Sequence, residues 1–177
     1  ERCVALVGSR RPSRAAAAAA GAQARALAGE GCTVVSGGAR GIDTAAHGGA
    51  LQGGGTVYVP ASGLKVFRRR QSELEHRPEE AWCLLGQFPP QAGWQAAYAL
   101  MRNRTIAAIS AAVVAFEPRD TGGTWHTSLN TLRMRQPLFV VSATRRGARG
   151  RGMSKLVRLG AVALDLETMP GPGALDR

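Results

Sequence analysis

Apolar residues in this chain come in short runs separated by longer mixed stretches. CVALV (Cys3–Val7) stops at Gly8, TVVS (Thr33–Ser36) stops at Gly37, and TVYVP (Thr56–Pro60) runs into ASGL. WCLLG (Trp82–Gly86), AAVVAF (Ala111–Phe116), LFVV (Leu138–Val141) and AVALDL (161–166) continue the series. Runs of this length, bounded by turn residues, predict buried strands. Between them the spacing predicts helices. Ser13 stands as N-cap before the Ala-rich segment Arg14–Ala28, which Gly29 and Gly31 close. Further helices are expected over Ile42–Leu51, Ser72–His76, Met101–Ile109, Trp125–Arg133 and Ser154–Leu159, with Pro89 and Pro90 marking a loop.

Short strands alternating with helices predict an α/β fold with a mainly parallel sheet and helices on both faces. No repeat and no second domain interrupts the pattern. The expectation is a single extended Rossmann-like domain over 1–167 and a flexible C-terminal tail over 168–177, where Pro and Gly accumulate. Ligands of such sheets bind beyond the carboxyl ends of the strands, where loops meet helix N-termini. That rule selects GSRRPS, SGGARGID, PASGL and EPRDTGGTWHT.

These loops have the chemistry of a phosphate site. Gly37 and Gly38 let backbone approach a ligand, Gly41 permits a tight entry into the next helix, and Arg40 adds a guanidinium fork. The pattern is neither a Walker A loop nor a GxGxxG fingerprint. Ser9 and Arg10 follow the first strand, Gly123 and Thr124 open a third Gly-rich loop with Thr127 beyond it, and MRNRT is read as placing Arg102, Asn103 and Arg104 at another helix start. Asp43 and His47 share a helix face, read as a capping carboxylate and a core histidine. The only carboxylates in these loops are Asp43, Glu117 and Asp120, with no nucleophile elbow and no metal-ligand cluster. Binding is therefore favoured over catalysis, with no catalytic residue, cofactor or metal expected. Aromatic residues are 5% of the chain, and Trp125 is the only one in these loops, so phosphate contacts rather than base stacking are expected to hold a ligand.

Charge sharpens this picture. The 23 Lys+Arg against 12 Asp+Glu leave a formal +11, which suits a polyanion, although a GC-rich genome would also enrich arginine. Two basic clusters stand out: Arg68–Arg70, and Arg145, Arg146, Arg149 and Arg151. Cys3, Cys32 and Cys83 match no disulfide or zinc spacing and read as small buried apolar residues of a reducing cytoplasm. No apolar run approaches the ~18 residues of a membrane span. The first residues read as a strand rather than a signal peptide, so a cytoplasmic protein is expected. The chain begins at Glu1 rather than Met, which points to residues upstream.

VALVGSRRPS, VVSGGARGIDTAAHGGAL, GGTVYVPASGL, MRNRTIAAISAAVVAFEP, TGGTWHT and RGMSKLVRLGA together resemble the DNA-processing protein A (DprA/Smf) family in order and spacing, from Val4 to Ala161. The resemblance implies a Rossmann-like domain that binds single-stranded DNA without cutting it. It also implies RecA as a partner during natural transformation and a homodimer. Carried over by position, Ser9, Arg10, Gly37, Gly38, Arg40, Arg102, Asn103 and Arg104 would line the DNA pocket, with Gly123 and Thr124 nearby. The chain departs from the family pattern where Ala99 and Leu100 replace an FP pair, where KVFRRR replaces a YP segment, and where Ser142 and Ala143 replace PG. The family's flanking helical domains are absent, so a divergent or trimmed member is expected. Two alternatives stay open on the same fold. One is a nucleotide-binding sensor. The other resembles the cytokinin-activating phosphoribohydrolases, whose PGGxGTxxE motif ends in a catalytic glutamate; TGGTWHTSLN has Ser128, Leu129 and Asn130 there instead.

Overall fold

A computed structural model describes residues 2–71, 74, 76–142 and 147–166, the side chains of 148 and 149 excepted. The strands are β1 (Cys3–Gly8), β2 (Thr33–Ser36), β3 (Thr56–Tyr58), β4 (Trp82–Leu84), β5 (Ala112–Phe116), β6 (Leu138–Val141) and β7 (Val162–Leu164). The helices are α1 (Arg14–Gly29), α2 (Ile42–Gly53), α3 (Leu64–Arg68), α4 (Ala96–Ala108), α5 (Gly123–Arg133) and α6 (Gly147–Arg158). The strands form one sheet in the order β4-β3-β2-β1-β5-β6-β7. Every pairing among them is parallel, with Val4 opposite both Val34 and Ala112.

Alternation along the central strands builds two cores. Val4 and Leu6 point to the face covered by α1 and α2, where they meet Ala16, Ala20, Leu27, Ile42 and Ala46. Ala5 and Val7 point to the other face and pack with Ile106 of α4 and with Met153 and Leu156 of α6. Trp125, Leu129 and Leu132 of α5 close that second core. Small residues set the α1–α2 spacing: a Cβ at Gly49 would lie 2.0 Å from the Gly21 carbonyl oxygen. Ser13 caps α1 through its hydroxyl, which accepts from Ala16 N at 3.1 Å.

Several boundaries differ from the sequence expectation. The fourth helix starts at Ala96, not Met101, because Gln95 takes the extended N-cap conformation and AAYAL continues the helix with little buried surface. The fifth starts two residues early at Gly123, and the last at Gly147, through a GARGRG segment with no apolar periodicity. Strand β3 ends at Tyr58, and β7 spans only Val162–Leu164. Helix α3 was not anticipated. Cys83 is exposed on the edge strand β4 and Cys3 and Cys32 are half-buried, correcting the reading of three buried cysteines. The helix expected over Ser72–His76, the arginines Arg145 and Arg146, the Arg149 side chain and the tail lie outside the described residues. Among the described residues no helix is long and apolar enough to cross a membrane.

Candidate nucleic-acid interface

The chain leaves β1 toward β2 on one side and leaves β5 toward β6 on the other, so β1 and β5 flank the topological switch point. Side-by-side strands whose connections diverge open a crevice at their carboxyl ends. A cleft of about 330 Å³ lies there. Its walls are the β1 loop (Gly8–Arg11), the β5 loop (Glu117, Arg119 and Thr121), the start of α5 and the α4 residues Arg102 and Asn103, with Ala39 contributed by the β2 loop and Asp43 by the first turn of α2.

Glycine is required where β1 ends. A Cβ at Gly8 would lie 2.6 Å from both Ile42 and the Phe116 carbonyl oxygen. The chain then turns, Ser9 N donating to Phe116 O at 3.2 Å and the Ser9 hydroxyl accepting from Arg11 N at 3.1 Å. Arg10 and Arg11 are left exposed over the cleft. Opposite them, Glu117 ends β5 in a left-handed conformation (φ 48°), fully buried, and its carboxylate accepts from Ser13 N at 3.0 Å. That bond ties the start of α1 to the end of β5. Arg119 follows, exposed and facing the cleft.

Helix α5 opens on Gly122 at φ 92°, which supplies no side-chain cap. Its first-turn N–H groups and positive dipole end are thus available to an anion. Asn103 holds this helix start in place, its side-chain amide donating to Gly123 O at 3.2 Å, while Thr127 donates to the same carbonyl at 3.1 Å. Thr124 lines the cleft in the same turn.

Arg102 lies deeper than the sequence suggested. It sits mid-helix in α4 and is 6% exposed. Its guanidinium donates to Val59 O at 2.8 Å and fills the space a Cβ at Gly37 would need. Burial lowers its pKa, the neighbouring Asp43 opposes that, and Arg10 adds to it. Asp43 accepts from Ala39 N at 3.1 Å, as a carboxylate in a first helical turn should. Burial raises its pKa, while Arg102 and the hydrogen bonds of Ala39, Ser36 and Gly37 pull it back down.

The structure therefore brings Ser9, Arg10, Arg102, Asn103, Gly123 and Thr124 to one cleft. Gly37, Gly38 and Arg40 are not part of its lining; their loop reaches the cleft through Ala39, and Arg40 is exposed one residue beyond it. Arg104 is two residues past Arg102, on the far side of α4, exposed and outside the cleft. MRNRT is thus not a helix start, because α4 already runs through it. Sequence reasoning did not single out Arg119, although EPRD after a buried strand was a usable signal. Gly38 (φ 69°) borders a second cavity of about 240 Å³ with His47, Tyr58, Gln71 and Arg77.

A family model for DNA recombination-mediator protein A matches residues 1–169. The chain belongs to this family. A putative DNA processing protein DprA of Mycobacterium tuberculosis is 33% identical over 162 residues, covering 90% of this chain and 42% of the relative. DNA processing protein DprA of Bacillus subtilis is 27% identical, covering 92% of this chain and 56% of the relative. The chain thus spans about half the length of the curated relatives it matches. Its fold superposes on DprA from Streptococcus pneumoniae with a TM-score of 0.78 at 29% identity, over 92% of this chain and 58% of that one. It also superposes on DNA processing protein A from Helicobacter pylori, a protein described with a single-stranded DNA binding mode, with a TM-score of 0.80 at 24% identity over 94% and 77% of the two chains. The Rossmann-like fold of DprA is thereby established for this chain, with all described strands parallel.

Proposed function

We propose that the switch-point cleft binds the backbone phosphates of single-stranded DNA and holds them without chemistry. One observation carries this reading: Arg10, Arg11 and Arg119 converge on the uncapped N-terminus of α5. Guanidinium forks and open backbone N–H groups suit phosphate oxygens. Arg40 extends the basic rim from the β2 loop, and Ser9, Gly123 and Thr124 supply short-range donors. Arg102 and Asn103 act beneath the surface, where they hold Gly37 and α5 in place. Gly37 and Gly38 serve by letting that loop pass close to Arg102 and turn. The family and the DNA-binding mode described for the Helicobacter pylori protein support a recombination-mediator role, with RecA and a second copy of the chain as partners.

Retention without cleavage fits how the carboxylates buried at the cleft, Glu117 and Asp43, are engaged. Glu117 accepts from Ser13 N, and Asp43 accepts from Ala39 N beside Arg102. At the α5 segment where the phosphoribohydrolases place their glutamate, Ser128 is fully buried and donates to Thr124 O at 2.9 Å. Incubation with AMP should therefore release no base.

The test is anisotropy of labelled single-stranded oligonucleotides across a salt series. Arg10→Ala and Arg40→Ala should each weaken binding and flatten the slope of log K against log salt by about one unit. Arg104→Ala removes the same charge from outside the cleft and should leave the slope close to wild type. Equal effects of all three would mean a diffuse basic surface and would overturn the cleft assignment.

A further inference from the structure

We infer that Trp94 is a base-stacking platform at the mouth of the cleft, receiving the face of a nucleobase from a strand whose phosphate lies on Arg10. The inference rests on the nucleic-acid reading of the cleft and adds a second kind of contact to it. The sequence led to the expectation of binding without stacking, because Trp125 was the only aromatic residue in the loops selected there. Trp125 is partly buried and packs against the core cluster that contains Ile106 and Val113. Trp94 lay outside those loops, and the fold brings it to them.

Three observations support the assignment. The indole is 51% exposed, although it is among the largest apolar groups in the chain. The Arg10 guanidinium carbon lies 5.8 Å from its ring centroid, and Arg10 is a wall of the cleft. The indole and the phosphate site are thus joined through one side chain. The third observation is that the loop carrying Trp94 is tied down on both sides. Gly63 N donates to Ala92 O at 2.8 Å, Lys65 N to Pro90 O at 3.1 Å, and Ala92 N to Pro89 O at 2.9 Å. Gly63 has no room for a Cβ, which would fall 2.2 Å from Pro89 O. Phe88 stacks on Tyr98 at 4.0 Å between centroids and 12° between planes, closing the loop onto α4. Gln95, next to Trp94, is the N-cap of α4, and Ala99 in the same helix lines the cleft.

A half-exposed indole on an anchored loop, beside a phosphate-binding arginine, has the chemistry of a single-strand stacking site. Every base presents a π-face, so such a contact adds affinity with little sequence preference. The cation over the ring has the same consequence for orientation. Once Arg10 turns to a phosphate, the face it covered is open to the adjoining base. A protein side chain could also occupy an exposed tryptophan. The continuity with a basic cleft favours a nucleotide, and the experiment separates the two.

The experiment compares a thymidine oligonucleotide with an abasic deoxyribose-phosphate strand of the same length, using wild type, Trp94→Ala and Trp94→Phe at several salt concentrations. Wild type should bind the thymidine strand about tenfold more tightly than the abasic strand, the size of one base–aromatic stack. Trp94→Ala should remove that difference, leaving abasic binding and the salt slope unchanged, and Trp94→Phe should retain most of it. Tryptophan fluorescence should be quenched by the thymidine strand in wild type and much less in Trp94→Phe. Wild-type affinity in Trp94→Ala would overturn the inference while leaving the cleft reading intact. An equal loss on both strands would also overturn it, by making Trp94 a support for Arg10. Absence of salt-dependent binding to either strand by wild type would overturn the cleft reading, and this inference with it.

Discussion

Consider the His47 imidazole as the pH falls from 7 to 5. Thr56 hydroxyl donates its proton to Val34 O at 2.9 Å, so its contact with His47 Nδ1 at 2.8 Å requires Nδ1 to be the donor. The proton of the neutral ring is therefore on Nδ1. Nε2 is buried with no hydrogen-bond partner, and the ring stacks on Tyr58 at 3.5 Å between centroids. A second proton would place a charge where no acceptor receives it, with Arg102 adding repulsion. Burial first, and Arg102 second, lower the His47 pKa from 6.5 to about 3. The folded state thus refuses a proton that the unfolded chain takes up below about pH 6.5. The stability from neutral His47 is fully present above that pH and is lost progressively as pH falls toward about 3. At pH 5 the loss is about 2 kcal/mol, taking 1.36 kcal/mol per pH unit. Asp43 has the opposite sign, since its raised pKa makes the folded state bind a proton earlier than the unfolded chain. Wild type and His47→Gln share that contribution, so their difference isolates the imidazole. Urea unfolding followed by circular dichroism should show wild type losing about 2 kcal/mol more than His47→Gln between pH 7 and 5. Parallel losses would refute the claim that this histidine is held neutral by its surroundings.

Two adjacent glycines in α2 should respond oppositely to alanine. Gly48 is exposed with nothing within 4 Å of a built Cβ, so Gly48→Ala should stabilise by about 0.5–1 kcal/mol through helix propensity. A Cβ at Gly49 would lie 2.0 Å from the Gly21 carbonyl oxygen, so Gly49→Ala should force α1 and α2 apart and cost about 1–3 kcal/mol net of that gain. Thermal unfolding of both variants checks the pair, and a stabilised Gly49→Ala would show that the helices pack less closely. Among the three thiols, Cys83 on the edge strand should react first with a thiol reagent in the native state, with Cys3 and Cys32 following more slowly. The counts are read from the time course, and a Cys83→Ser variant should lose the fast phase.

Much of the fold was legible because its signals are local. CVALV, TVVS and LFVV are short, apolar and ended by turn residues, and each is a buried strand. Ser13 before an alanine run specified α1 and its cap. The misplaced boundaries share a cause. AAYAL and GARGRG become helical without an apolar stripe of their own, so periodicity could not find them. The candidate site was less legible than the fold. Which loops face one another depends on strand order, and β1 lies beside β5 across more than a hundred residues of chain. That pairing sets Arg119 opposite Arg10 and makes Glu117 the anchor for Ser13. Helix phase buries Arg102 and turns Arg104 away, a distinction that needs the helix start at Ala96, which local sequence does not mark.

By itself, then, the amino-acid sequence determined the strand–helix alternation, the glycine positions at strand ends and the basic character of the loops. Each depends on contacts or conformations within a few residues. Tertiary structure alone decided which arginines share a cleft, which is buried against Val59 and Gly37, and that Trp94 stands beside Arg10. Those outcomes come from parallel pairing and helix packing between distant segments, where burial and Coulomb interaction act across space rather than along the chain.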